Sequence, residues 1–201
     1  YSKFLIFHTI TIRLLEKLKS YFLQSGFTDS DATAIVESFF FKKLSKGDFL
    51  VQEGRTNNHL AFVDKGFLQF FILLDGEEKT TYSAGENSFA TSLASFLKQI
   101  PAKENIRAVV DSDLWVIEKS RLKKLIEDIP AFKNYYIDLL EWQICCIDES
   151  RLDAIILNAR QRYKKMMEKE PNLIQQIPLQ FLASILGVTP RHLSRIRSSI
   201  R

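Results

Sequence analysis

Along the first 38 residues apolar side chains return at three- and four-residue spacing, with Leu14, Leu15, Leu18, Tyr21 and Phe22 on one face, which predicts helix. A second short helix is expected from Asp29-Ser-Asp31, whose side chains supply cap residues. The texture then changes. Five of the seven glycines, Gly47, Gly54, Gly66, Gly76 and Gly85, punctuate short runs rich in Phe, Leu and Val. Turn signals at about seven- to twelve-residue intervals mark an antiparallel sandwich or barrel. Strands are read at Leu60-Ala-Phe-Val63, Phe67 to Leu74, Lys79-Thr-Thr-Tyr82, Ile106 to Val110 and Leu114-Trp-Val-Ile117, with tight turns at Lys65-Gly66 and Asp75-Gly76. The roll is expected to close near Ile117.

Helix resumes at Ser120, read as a cap, and the stretch from about Ala131 to Leu157 contains neither glycine nor proline. At about 1.5 Å per residue it extends to roughly 40 Å. Its apolar residues, among them Phe132, Tyr136, Leu139, Leu140, Ile144, Ile147, Leu152 and Ile155, outnumber what one narrow face holds. One side is therefore expected to pack on the roll and the other on a second copy of the chain. Asn158 caps the next helix, from Ala159 to about Lys169, and Pro171 follows. The domain boundary is placed there: 1–158 for a β-roll unit with flanking helices and the long helix (about 131–157) expected to form the dimer, and 159–201 for a separate C-terminal unit.

The strongest local signal is Pro178-Leu-Gln-Phe-Leu-Ala-Ser-Ile-Leu-Gly-Val-Thr-Pro-Arg-His-Leu-Ser-Arg-Ile-Arg197. A helix-turn-helix needs a small residue at the crossing, a glycine in the turn and apolar residues that seat the second helix. Ala183, Gly187, Val188, Leu193 and Ile196 supply these in order. Thr189 caps the second helix and Pro190 opens it. Off the apolar seam stand Arg191, His192, Ser194, Arg195 and Arg197, and no acid occurs from Pro178 to the end. An Arg near a helix N-terminus reaches base edges and can grip guanine O6 and N7 together. Arg191 and Arg195 are assigned to bases, and His192, Ser194 and Arg197 to bases or phosphates.

Charge sharpens this picture. The net charge is +4, but from Ala159 to Arg201 nine Lys/Arg face two acids, giving +7 there and −3 in residues 1–158. Such asymmetry points to a polyanionic partner for the C-terminal part. At 46% hydrophobic over 201 residues the chain can bury a substantial core. The N-terminal run Phe4-Leu-Ile-Phe7 is soon broken by Arg13, far short of a membrane span, and a cytoplasmic location without membrane association is expected. The only cysteines, Cys145 and Cys146, are neighbours on a helix, which fits a reducing compartment and no disulfide framework.

The order of parts resembles the Crp/Fnr family of transcription regulators over almost the whole chain. Lys46-Gly-Asp-Phe-Leu-Val-Gln-Glu-Gly54 looks like the family's opening roll strands, Leu60-Ala-Phe-Val-Asp-Lys-Gly66 like its next hairpin, and Leu193-Ser-Arg-Ile-Arg197 like its recognition helix. The resemblance implies an α+β fold: a cyclic-nucleotide-binding-like β-roll (jelly roll), a long dimerisation helix, and a C-terminal winged-helix-like helix-turn-helix. Many relatives continue into wing strands where this sequence stops, so the wing is either absent or trimmed. The implied partners are double-stranded DNA, a second copy forming a homodimer, RNA polymerase, and a small effector.

The effector site is where the sequence departs from the family. Cyclic-AMP-binding members carry Gly-Glu-Leu followed about ten residues later by Arg-Ser or Arg-Thr, the arginine pairing the phosphate and the glutamate holding the ribose. Aligned through Ile106-Arg-Ala108, this chain offers Ala90, Thr91 and Ser92, then Ala102 and Lys103. Both charged anchors are missing, as in Bacteroidetes-like members, so no cofactor is expected and cyclic AMP is not the expected ligand. Thr91, Ser92, Lys103 and Asn105 are the candidate lining of a pocket for another effector, although a vestigial roll fits equally. An iron-sulfur sensor lacks its N-terminal cysteines, and His8 and His59 are no basis for haem. No enzyme is expected, because metal-dependent jelly-rolls gather two or three histidines and His59 is the only one from Phe39 to Ile117. The competing function is a ligand-sensing or protein-interaction module that does not bind DNA.

Overall fold

The structure is a computed structural model that describes residues 15–169, 174 and 177–200. The run from Phe4 to Phe7, His8, Leu14, Glu170, Pro171 and Arg201 lie outside the described residues. Helix α1 (15–24) buries Leu18 and Phe22 completely, as their four-residue spacing requires. Helix α2 (Asp29–Glu37) starts one residue earlier than the acidic pair suggests: Thr28 Oγ1 accepts from Asp31 N at 3.1 Å. Asp29 and Asp31 instead occupy the first turn, where the helix dipole favours negative charge.

Eight strands follow among the described residues: β1 (Phe40–Leu44), β2 (Phe49–Val51), β3 (His59–Lys65), β4 (Leu68–Leu74), β5 (Glu77–Ala84), β6 (Phe89–Ala90), β7 (Asn105–Ala108) and β8 (Ser112–Glu118). They form two antiparallel four-stranded sheets, ordered β1-β8-β3-β6 and β2-β7-β4-β5. Between them Ala61, Val63, Leu68, Phe70, Ile106, Leu114 and Val116 make the roll's interior. On the far side of the first sheet, Leu60, Phe62, Trp115 and Ile117 pack against Phe22, Ile35 and Phe132 of the surrounding helices. β3 and β8 are thus covered on both faces, which is why they read as unbroken apolar runs. The turn Asp75-Gly76 has φ of 53° and 80° with Leu74 opposite Glu77, a two-residue hairpin of the primed kind.

Helix α3 (Leu93–Lys98), which the glycine and strand pattern does not predict, sits between β6 and β7. Helix α4 (Lys119–Asp128) also corrects the sequence reading. Glu118, not Ser120, holds the cap position, with no side-chain cap bond; the backbone N–H of Lys119 is satisfied by Asn58 O at 2.8 Å. Pro130 opens α5 (Pro130–Ile156), a 27-residue helix in which only Phe132 is buried. At Leu157 the backbone is extended. Asn158 then caps α6 (Ala159–Lys169) reciprocally: its Oδ1 accepts from Gln161 N at 3.0 Å, and Gln161 Oε1 accepts from Asn158 N at 2.9 Å.

Two short helices, α7 (Leu179–Ile185) and α8 (Pro190–Ser198), complete the described chain. Leu182, Ala183, Leu186, Leu193 and Ile196 join Tyr163 of α6 in one core, which also takes in Phe67 and Val109 from the roll. This unit is fastened to β5: Ser184 Oγ is 2.8 Å from Thr80 Oγ1 and accepts from Thr80 N at 3.1 Å. Among the described residues no helix is long and apolar enough to cross a membrane.

Candidate nucleic-acid interface and effector cavity

The α7–α8 turn is set by Gly187 at φ +64°, a conformation that costs a side-chain-bearing residue energy, and by Val188 N donating to Ala183 O at 2.9 Å. Thr189 is extended, and its Oγ1 accepts from His192 N at 3.2 Å, with Pro190 next in the first turn. The apolar seam Leu193 and Ile196 is buried. That rotation leaves Thr189, Arg191, His192, Ser194 and Arg195 exposed and Arg197 half-buried. Among the described residues none of the three arginines is in a salt bridge.

Much of the basic charge counted on α6 has other work. Lys165 pairs with Glu149 at 2.7 Å and Asp153 at 2.5 Å, joining α6 to the end of α5. Arg162 donates to Leu186 O at 2.8 Å and Arg160 to Ser199 O at 3.2 Å, so each guanidinium sits at the carbonyl end of a short helix. The positive face free to meet an anion is therefore carried chiefly by α8.

A second site lies between the roll and α5, a cavity of about 750 Å³. Phe70, Tyr82, Phe89 and Thr91 line it from the strands and the loop after β6; Tyr135, Tyr136 and Trp142 line it from α5. Tyr21 and Tyr135 share a hydrogen bond of 2.9 Å between their hydroxyls. Of the four residues expected there, Thr91 reaches the cavity, donating to His59 O at 2.8 Å and accepting from Asn57 Nδ2 at 2.7 Å. Ser92 is buried behind it and donates to Glu104 Oε1 at 3.1 Å. Asn105 is turned away to accept from Glu53 N at 3.0 Å, and Lys103 is exposed.

The residue that sequence reasoning missed is Glu104, whose carboxylate lines the cavity. Its second oxygen accepts from Thr81 Oγ1 at 3.4 Å. Thr81 is the extra residue of a β-bulge: Phe70 opposes Tyr82 and Phe71 opposes Thr80, so the strand is re-aimed at that point. Burial pushes the Glu104 carboxyl above its usual range, opposed by the hydroxyls of Ser92 and Thr81. The only sequence signal for it was its place two residues before Ile106-Arg-Ala108.

These residues do not fit a cyclic nucleotide. Ala102, which the sequence alignment sets against the phosphate-pairing arginine of cyclic-AMP binders, is buried, and the charged residues lining the cavity among those described are Glu104 and Asp138, both acids. A phosphate placed there meets repulsion and no cation. Elsewhere in the roll, burial and Lys42 hold the His59 imidazole below its usual range, and no group of three or more His, Cys, Asp or Glu among the described residues could hold a metal ion.

Comparison with known proteins places the fold. Residues 41–128 match the cyclic nucleotide-binding domain family. The chain is 23% identical over 125 residues, 61% of its length, to the cAMP-dependent protein kinase regulatory subunit of Blastocladiella emersonii, of which it spans 30%. Its structure resembles the catabolite activator protein of Thermus thermophilus, with TM-score 0.56 and 22% identity, covering 87% of this chain and 84% of that one. It resembles a Crp/Fnr-family protein from Eubacterium rectale with TM-score 0.64 and 20% identity, covering 88% and 85%. Residues 41–128 therefore form a β-roll of the cyclic nucleotide-binding domain type, in a chain whose fold resembles that of Crp/Fnr-type proteins.

Proposed function

We propose that the chain is a sequence-specific DNA-binding transcription regulator that works as a homodimer and does not respond to cyclic AMP, like the Crp/Fnr members that lack the nucleotide anchors. α7 and α8 are read as the helix-turn-helix, with α8 as the recognition helix entering the major groove. The observation that carries this is the outer face of α8: Arg191 exposed in the capped first turn and Arg195 exposed in the last, with no acid from Pro178 onward. Double-stranded DNA is the partner that such a face suits, and RNA polymerase is the downstream partner that regulation implies.

Selection from fragmented genomic DNA at low salt tests it. The expected result is enrichment of a two-fold related sequence with half-sites about one DNA turn apart, whose affinity falls steeply with added salt as phosphates are neutralised. No enriched sequence at low salt overturns the reading and favours the roll as a sensing or docking module alone.

The dimer is assigned to α5, where Ile137, Ile144, Ile147, Leu152 and Ile155 stand exposed along one helix, Ile144 at 63% and Ile155 at 73%. Their steps of seven, three, five and three residues keep them within one broad face of the helix, wide enough for a second helix to pack against. Changing Ile144→Glu and Ile155→Glu together places charges in that seam. Sedimentation velocity is expected to find the wild type as a dimer and the double variant as a monomer, with its far-UV circular dichroism unchanged, since neither side chain is in the chain's own core. A wild type that sediments as a monomer at micromolar concentration refutes the assignment.

A further inference from the structure

We propose that the cavity between the roll and α5 binds an aromatic organic cation, with the Glu104 carboxylate as counter-ion and the rings of Phe70, Tyr82, Tyr135 and Trp142 as its walls. The volume, about 750 Å³, is that of a site for a drug-sized molecule. Its lining is rich in aromatic faces, whose negative quadrupoles attract a cation and repel an anion. Among the described residues, the hydrogen-bond partners of the acid within the roll are hydroxyls. Ser92 and Thr81 donate to Glu104, and among the described residues no Lys, Arg or His forms a salt bridge with it. A partly buried carboxylate without a cation is costly, and an entering ammonium group offsets that cost. Asp138, on the α5 side, adds a second negative charge at the exposed side of the same cavity.

The bulge supports the same conclusion. Strand β5 departs from regular pairing at Thr81, and the departure brings its hydroxyl to Glu104. Two hydroxyls, Thr81 from β5 and Ser92 from the loop after β6, thus converge on the carboxylate of Glu104, which stands just before β7 and lines the cavity. The inference rests on the roll being an effector domain but does not require that α8 bind DNA.

Three probes of one shape test it on the full chain: biphenyl-4-methylamine, biphenyl-4-methanol and biphenyl-4-carboxylate, each titrated by calorimetry, with cyclic AMP as a fourth. The amine is expected to bind at least tenfold more tightly than the alcohol, and the carboxylate and cyclic AMP more weakly still. In Glu104→Gln the amine is expected to lose its advantage over the alcohol, while the alcohol's own affinity stays within about twofold and so reports an intact cavity. A carboxylate that binds as well as the amine, an amine preference that survives Glu104→Gln, or no binding by any probe overturns the proposal. Operator selection on the same preparation is scored separately: amine binding without operator enrichment removes the regulator reading and leaves this one standing.

Discussion

Arg191→Ala and Arg195→Ala are each expected to weaken binding to the selected operator by roughly 1–3 kcal/mol per half-site, the cost of losing a bidentate contact to a base. A dimer carries each substitution twice, at separated half-sites whose effects add, so the operator complex loses roughly 2–6 kcal/mol. That approaches the whole margin between specific and non-specific binding for a modest regulator, about 4–10 kcal/mol. Both side chains are exposed and make no salt bridge among the described residues, so thermal stability and dimer mass should not change. Arg197, half-buried and further along the helix, is expected to act differently. Its alanine variant should lower affinity for operator and random DNA alike and reduce the salt slope by about one phosphate per half-site. Competition gel shifts at two salt concentrations separate these patterns. Unchanged operator affinity in both Arg191→Ala and Arg195→Ala would refute the assignment of α8 to base contact.

What could be read in advance was whatever depends on near neighbours in the chain. The Thr189 cap, the Asn158 cap and the Asp75-Gly76 turn each involve residues within about three positions, and each is found where the sequence places it. The apolar runs of β3 and β8 announced strands, though not that both their faces are covered, and the length of α5 followed from its lack of glycine and proline. The misplacements have a common cause. Ser120 has the chemistry of a cap, but Lys119 N already meets Asn58 O, sixty-one positions earlier, and the helix needs no side-chain oxygen there. Lys165 counts as free charge in a tally of the C-terminal part, yet α5 brings Glu149 and Asp153 beside it. Glu104 belongs to a cavity whose walls come from β4, β5 and α5, so no local window distinguishes it from a solvated glutamate.

Strand β5 connects the two sites. Thr80 bonds to Ser184 of α7, while the next residues, Thr81 and Tyr82, line the cavity. Beside them Arg107 of β7 bridges the sheet to the same helix: it pairs with Glu78 at 2.6 Å, lies 4.6 Å from the centre of the Phe71 ring, and stands 6.0 Å from that of Phe181 on α7. The helix that seats α8 is therefore held by the strand whose bulge shapes the cavity. On the functions proposed above, adjacent residues of one strand touch both the effector cavity and the helix that seats the DNA-reading face.

Gly66→Ala is expected to destabilise the fold by roughly 2–5 kcal/mol, combining an unfavourable left-handed backbone with an overpacked contact. Gly66 turns the chain from β3 into β4 at φ +108°, and an added Cβ would lie 2.7 Å from Ser112 Cα. That neighbour cannot retreat. Ser112 is fully buried, its hydroxyl accepts from Phe67 N at 3.3 Å and donates to Val110 O at 2.8 Å, and β8 is locked between β1 and β3. Gly76→Ala is the matched control, because its φ is +80° but nothing lies within 4 Å of the new methyl. It carries the backbone penalty alone, about 1–2 kcal/mol. For a chain of this size each kcal/mol lowers the melting temperature by about 2–4 °C, so calorimetry should find a drop of roughly 4–20 °C at position 66 and clearly less at position 76. Equal drops at the two positions would mean that Ser112 gives way, and that the closely packed corner joining β3, β4 and β8 is softer than its geometry requires.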